Sequence, residues 1–160
     1  MKKINLGGNR YENKPIKDYA LVDDDIFDYL NQFKWWLTDN GYAISTKKTD
    51  SGRTRIRMSR EVINCPNGYF VDHIDGNKLN NQKSNLRIAT KSQNGMNRGR
   101  PASNTSGYKG VSWDKHTLKW RAEIKANGKR YRLGRFLEKV DAAKAYFEAA
   151  RKLHKDFAHI

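Results

Sequence analysis

The sequence predicts an α+β chain made of two small modules, and three features carry that reading. The front of the chain strings together short runs with period-two alternation around one brief amphipathic helix. The back holds three more such runs, followed by an alanine-rich helix. Between them lies GMNRGRPASNTSG at 95–107, rich in glycine, serine and asparagine and without apolar periodicity. The expected modules are residues 1–97 and 107–160, joined by a basic flexible linker over 98–106. Antiparallel strands are expected in the first, and a three-stranded antiparallel sheet packed on one helix in the second. With 160 residues in all, neither module buries a large core.

Taken in order, residues 1–14 are polar and glycine-containing and read as a loose arm or a first strand. Tyr19-Ala20-Leu21-Val22 predicts a strand. Asp23-Asp24-Asp25 then offers an N-cap and an acidic first turn. In the helix that follows, Ile26, Tyr29, Leu30 and Phe33 fall at i, i+3, i+4 and i+7, which is one packed face. Trp35-Trp36-Leu37, Gly41 to Ser45 and Arg53 to Met58 read as antiparallel strands, with turns at Asp39-Asn40-Gly41 and Asp50-Ser51-Gly52. The two tryptophans are expected in the core and against a turn. In the third strand Arg53, Arg55 and Arg57 form one face, either a solvated one or a phosphate-contacting one.

Residues 70–97, FVDHIDGNKLNNQKSNLRIATKSQNGMN, are the centre of the chain. Asp72-His73 is followed by Asn85, twelve residues after the histidine, and by Asn94, nine after that. Cleaving a phosphodiester needs an activated water, charge stabilisation on the phosphate and help for the leaving oxygen. A hard divalent cation serves the last two, and a carboxylate (Asp72) with an amide oxygen (Asn94) suits magnesium or manganese. His73 titrates near neutrality and can serve as general base. Alternation in Tyr69 to Ile74 sends Asp72 and His73 to opposite faces, so both cannot face the core, and they are placed where the strand opens into a loop. Asp75-Gly76-Asn77 is a turn, Leu86 to Ala89 a return strand, and Thr90 to Gln93 has capping-box spacing. Asn94 then sits in a helix's first turn or, with Gly95, in a tighter loop.

The run DHIDGNKLNNQKSNLRIATKSQN resembles the HNH homing endonucleases of phages and mobile introns, in the branch with Asn at the third motif position. The resemblance implies a β-β-α metal motif with Asp72 and Asn94 on one metal ion, His73 activating water, and Asn85 bracing the loop that aims the histidine. The front section resembles the same family through its aspartate-rich helix start, tryptophan pair and arginine-rich strand. It departs in Ser59-Arg60-Glu61-Val62, where relatives often carry a histidine before the arginine.

Behind the basic stretch with Arg98 and Arg100, strands are expected over Tyr108 to Trp113, Lys119 to Lys125 and Lys129 to Phe136, and a helix over Val140 to His154. Trp120, Ala122 and Ile124 share one face with Tyr131 and Leu133, against Ala142, Ala145, Ala149 and Ala150. Arg121, Glu123, Lys125, Arg130 and Arg132 share the other. Glu123 reads equally as a base-reading carboxylate or as an ion-pair partner. Through YKGV, KWRAEI, LGRF and the alanine-rich helix, this segment resembles the APETALA/ethylene-response-factor DNA-binding domain. The resemblance implies a sheet lying in the major groove, with contacts from Lys109, Ser112, Asp114, Glu123, Lys125, Arg130 and Arg132. Ser112 and Asp114 stand where the plant proteins carry arginines.

Composition agrees. There are 32 Lys and Arg against 17 Asp and Glu, a net +15 that points to a polyanion. Fourteen of the basic residues fall beyond residue 100, against six acidic ones. No apolar run is long enough for a membrane span and Met1-Lys2-Lys3 does not open a signal peptide. One cysteine, Cys65, excludes an internal disulfide and a multi-cysteine zinc site. An intracellular setting is expected, the cytoplasm of a phage-infected or intron-bearing cell. The resemblances together imply sequence-targeted, metal-dependent nicking of double-stranded DNA by a monomer, with a dimer or two sequential cuts needed for a double-strand break. The alternative is a non-catalytic DNA-binding regulator; an RNA-directed protein ranks third.

Overall fold

The structure, a computed structural model, describes residues 1–7 and 18–158. Of the arm or first strand expected at 1–14, the part from residue 8 lies outside the described residues. The chain divides into two compact units, Met1–Ala89 and Thr90–Ile160. Each is α+β.

The first unit runs β1 (Lys2–Gly7), β2 (Asp18–Val22), α1 (Asp24–Asn31), β3 (Trp35–Leu37), β4 (Ala43–Thr49), β5 (Gly52–Arg57), α2 (Met58–Val62), β6 (Phe70–His73) and β7 (Leu86–Ala89). Five strands form a sheet in the order β2-β1-β3-β4-β5, and β6 and β7 form a separate ribbon. The pairings are antiparallel except β1 with β3, which is parallel. That pair is parallel because β2 and α1 together make the crossover between its strands. Alternation puts Ile4, Leu6, Ala20, Val22, Trp35, Ala43 and Ile56 on the buried face, where Leu30, Met58 and Val62 of the helices meet them. Trp35 is fully buried, as its composition suggested, and its indole N–H donates to Leu30 O at 2.7 Å, so the bulky ring goes inside without stranding its donor. The arginines of β5 stay outside.

Sequence and structure differ at Asp23. Its carboxylate makes no capping bond to α1. Instead it accepts from the backbone N of Lys83 at 2.7 Å. Nearby, Leu21 N donates to Leu79 O and Asn81 N to Leu21 O, both at 2.8 Å, which binds the backbone of residues 79–81 to the free edge of β2. The edge strand is thereby covered, and the loop between β6 and β7 is anchored to the sheet. Before the ribbon, Arg60 donates to the carbonyls of Cys65, Pro66 and Tyr69 at 2.8 to 2.9 Å, fixing the entry to β6.

The second unit runs α3 (Lys91–Met96), β8 (Val111–Asp114), β9 (Lys119–Ala126), β10 (Lys129–Phe136) and α4 (Lys139–His154). Its sheet is antiparallel in the order β10-β9-β8. Asn127 and Gly128, with φ of 50° and 78°, make the tight turn between β9 and β10. Ala142, Ala143, Tyr146 and Ala150 of α4 are buried over Val111, Ala122 and Ile124. Ala143 thus joins the packed face, whereas Ala145 and Ala149 lie at its half-buried margin. The helix lies so close that a Cβ on Gly110 would come within 2.2 Å of the Tyr146 ring and 2.6 Å of Glu123 O. Asn104 Nδ2 donates to Tyr108 O at 2.8 Å and Ser106 Oγ to Val111 O at 2.9 Å, tying this part of the polar stretch to the start of the sheet.

Candidate active site and nucleic-acid interface

His73 is the last residue of β6, and its neighbours come from the loop that follows. Asp75 to Asn77 forms the expected turn: Gly76 N donates to His73 O at 3.0 Å, and Asn77 N to Asp75 Oδ1 at 2.7 Å. Asn85 closes the loop from its far end, accepting from Asp75 N at 3.0 Å and donating to Asp75 Oδ1 at 2.9 Å and Asn80 O at 2.8 Å. Burial raises the Asp75 carboxyl, but hydrogen bonds from Asn80, Asn77 and Asn85 outweigh it and leave the pKa below the usual carboxylate value. The imidazole Nε2 lies 3.2 Å from Asn81 Oδ1. Burial pushes the His73 pKa below its ordinary value, with Asn81 acting in the opposite direction.

Asp72 and His73 point to opposite faces, yet both are buried, at 4% and 5% exposure. The ribbon is covered on both sides, by the Asn81 loop over His73 and by Arg87 of β7 over Asp72. Arg87 Nε and Nη2 lie 2.8 and 2.7 Å from Asp72 Oδ2. Asn94 belongs to the second unit, on α3. The capping box there is complete, Thr90 Oγ1 accepting from Gln93 N while Gln93 Oε1 accepts from Thr90 N. Asn94 N makes the first helical bond, to Thr90 O at 2.9 Å, so the helix prevails over the tighter loop. Among the described residues no three His, Cys, Asp or Glu side chains gather as a metal group. The Asp72 carboxylate and the Asn94 amide oxygen, each in its own unit, are hard ligands of a type that suits magnesium or manganese.

Arg53, Arg55 and Arg57 lie exposed along β5, at the sheet edge. Arg55 and Arg57 line an open groove of about 700 Å³ with Arg60, Asn67 and Phe70. Ser59, at the position noted above, is buried in α2 and its hydroxyl has no hydrogen-bond partner among the described residues.

On the second unit, register puts Ser112, Asp114, Arg121, Glu123, Lys125, Arg130 and Arg132 on the face away from α4. Glu123 lies among Arg121, Arg132 and Arg130 at 3.7, 3.9 and 4.0 Å. Arg135 Nε lies 2.9 Å from Asp114 Oδ2, and that hydrogen bond pulls the Asp114 carboxyl down to about 2. Arg98 and Arg100 are exposed. Lys109 is turned inward, its Nζ donating to Met96 O at 2.6 Å, and burial lowers its pKa.

The HNH endonuclease family model matches residues 64–96. A second, the AP2 domain, matches 106–156. An uncharacterized HNH endonuclease of Acanthamoeba polyphaga mimivirus is 33% identical over 144 residues, covering 88% of this chain and 73% of the relative. The chain belongs to the HNH endonuclease family. Protein 3.8 of Escherichia phage T7 is 42% identical over 93 residues, 58% of this chain and 76% of its own. A Bacillus subtilis (strain 168) protein named as an SPbeta prophage-derived HNH homing endonuclease is 30% identical over 90 residues, 41% of this chain and 52% of the relative. No solved structure matches. The HNH and AP2 assignments make this a DNA nuclease by family, with a DNA-binding domain behind it. No helix among the described residues is long and apolar enough to cross a membrane.

Three residues of the HNH and AP2 regions were not among the sequence candidates. Asn81 sits in a run of polar residues, and nothing in the run separates it from Asn80. Arg87 alternates with Leu86 and Ile88 like any solvent-facing strand residue, but the residue opposite it is Asp72. Arg135 reaches the outer face of the AP2 sheet because the register shifts between Arg132 and Gly134, so that Arg135 stands opposite Arg121. A glycine inside a strand pattern is a known signal for such a bulge.

Proposed function

We propose that the chain is a metal-dependent endonuclease that nicks double-stranded DNA, with His73, Asp72, Asn85 and Asn94 as its cutting centre and residues 107–160 as its targeting surface. The supporting observation is the setting of His73: an imidazole whose pKa burial lowers, at the end of a strand, with Asn81 on one ring nitrogen and an HNH-family match around it. With the Nε2 proton donated to Asn81 Oδ1, the lone pair lies on Nδ1, and that atom accepts the proton of the attacking water. Asn85 holds the loop through its three bonds so that Asn81 keeps its place. Asp72 and Asn94 would be the residues that hold a magnesium or manganese ion, which when bound would supply charge neutralisation at the phosphate and help for the leaving sugar oxygen. Arg121, Lys125, Arg130 and Arg132 then set where on the duplex the chain sits, with Arg98 and Arg100 along the backbone before them. One centre per chain cuts one strand per binding event, as a monomer.

One observation favours the competing reading, a non-catalytic DNA-binding regulator. Asp72 Oδ2 already carries the Arg87 guanidinium, so a cation at that oxygen must share it. Incubating supercoiled plasmid with the protein and magnesium or manganese separates the two. Nicking that His73→Ala lowers by about 10²–10⁴-fold, with DNA binding retained, supports the nuclease. Tight binding without nicking in either metal rejects it.

A further inference from the structure

Tyr42 sits just before β4, and Thr38 fixes it there: Tyr42 N donates to Thr38 Oγ1 at 3.0 Å, and Thr38 N to Tyr42 O at 2.9 Å. The half-buried ring is tilted against His73, with centroids 6.1 Å apart. Two cations from distant parts of the chain meet this ring. The Arg57 guanidinium carbon lies 4.4 Å from its centroid and Lys78 Nζ 4.8 Å. Lys78 is held there by donating to Asn40 O at 2.8 Å.

Three other cations of the first unit lie beside a carboxylate: Lys47 beside Glu61, Lys83 beside Asp25 and Arg87 beside Asp72. Arg57 and Lys78 have no carboxylate partner among the described residues. Bringing two like charges to one ring costs free energy, and an exposed cation–π contact returns only about 0.5–1 kcal/mol. A tyrosine can hold the two cations in place without supplying the negative charge that a carboxylate would. The forked guanidinium and the N–H groups that Lys78 does not spend on Asn40 remain for an anion. This basic pair lies beside the imidazole that the proposed reaction uses.

We propose that Tyr42, Arg57 and Lys78 form a clamp that seats one backbone phosphate of DNA next to His73, with Tyr42 as a positioning residue for the two cations. The clamp rests on the nuclease reading for its purpose, but its test does not. The full-length Arg57→Gln/Lys78→Gln protein is compared with Lys2→Gln/Lys3→Gln, which removes two charges that also lie over rings, Phe27 at 4.6 Å and Tyr19 at 4.1 Å. Binding to a duplex is measured in metal-free buffer over a salt series. The clamp variant is expected to lose about 0.9 from the slope of log affinity against log salt, the value of one phosphate, while the Lys2/Lys3 variant keeps the wild-type slope. In the presence of magnesium the clamp variant should nick at least tenfold more slowly, and Tyr42→Leu should lower kcat more than it raises KM. Because Arg57 and Lys78 are exposed, the double variant carries the test even where Tyr42→Leu fails to fold. A clamp variant with wild-type slope and wild-type nicking overturns the clamp. A wild-type protein that never nicks overturns the nuclease reading and leaves the salt slope to decide the clamp.

Discussion

Replacing Asn81 by alanine should damage nicking far more than DNA binding. The side chain is 1% exposed and its Oδ1 lies 3.2 Å from His73 Nε2. Alanine keeps the backbone bond from residue 81 to Leu21 O, so the loop stays on β2. What goes is the acceptor for a buried imidazole N–H, and leaving such a donor unsatisfied costs about 1–3 kcal/mol. In a unit of this size about 1 kcal/mol moves the unfolding midpoint by roughly 4–8 °C, so a fall of about 5–20 °C is expected. Loss of the acceptor also removes one of the contacts that fix the ring's orientation and tautomer. Misplacement by about 1 Å can cost 10²-fold in rate, so nicking should drop about 10–100-fold. The assays are a thermal melt, plasmid nicking with magnesium, and duplex binding without metal. Asn81→Asp adds a contrast: a carboxylate at that position favours the imidazolium, raises the His73 pKa and moves nicking to higher pH, since the base must be neutral to act. An Asn81→Ala protein that melts and nicks like the wild type would refute the assignment of His73 through its Asn81 bond.

Three further outcomes are expected. Lys109→Ala should lower the melting point of the second unit more than it weakens DNA binding, because the ammonium is spent on Met96 O; the reverse order in paired melt and binding assays would return it to the interface. Arg130→Ala or Arg132→Ala should relax preference at one base position if these groups read bases, by about 1–3 kcal/mol against a scrambled duplex, and uniform weakening would mark them as phosphate contacts. Burial and the nearby Lys109 hold the His154 pKa below 6.5 although Lys125 O pulls it up, so the unfolded chain takes the proton first. The second unit then has this contribution in full above about pH 6.5 and loses it as pH falls toward the folded-state value, and His154→Gln should flatten that part of a melt-versus-pH curve.

What could be read from the chain was whatever depends on local periodicity. The return strand Leu86 to Ala89, the Thr90 capping box and the hairpin at Asn127-Gly128 follow from residues that touch their sequence neighbours, so the text of the chain contains both partners. What escaped depends on contacts far apart in sequence. Asp23 looks like a helix cap until the backbone of Lys83, sixty residues on, is seen to need an acceptor. The parallel pairing of β1 with β3 follows from a crossover that no alternation pattern encodes. Asn81 is distinguished from Asn80 only by the buried imidazole it meets. The stretch that matches the HNH model was legible because its residue types are rare in that spacing, whereas Asn81 and Arg87, which contact His73 and Asp72, are common polar residues.

The outer face of the second unit bears on how such a basic surface can remain folded and still be available to DNA. Six cations, Lys119, Arg121, Lys125, Arg130, Arg132 and Arg135, share it with two carboxylates. Glu123 is 20% exposed in its side chain, but its partners Arg130 and Arg132 are 71% and 87% exposed and lie 3.9 to 4.0 Å away. Pairs of that kind contribute about 0–1 kcal/mol, too little to hold the guanidiniums back from a phosphate or a guanine edge. Glu123 therefore offsets repulsion among the arginines in free solution without removing their charge. Asp114 differs, because its Arg135 bond is short and keeps the carboxylate ionised far into acid. It draws a guanidinium from β10 across β9 to β8, the strand that carries Ser112 and Asp114. If that guanidinium serves the duplex from this position, Asp114→Asn should alter base preference at the β8 end while total affinity stays equal or rises through the lost negative charge. A change in affinity alone, with preference intact, would make Asp114 a purely electrostatic neighbour.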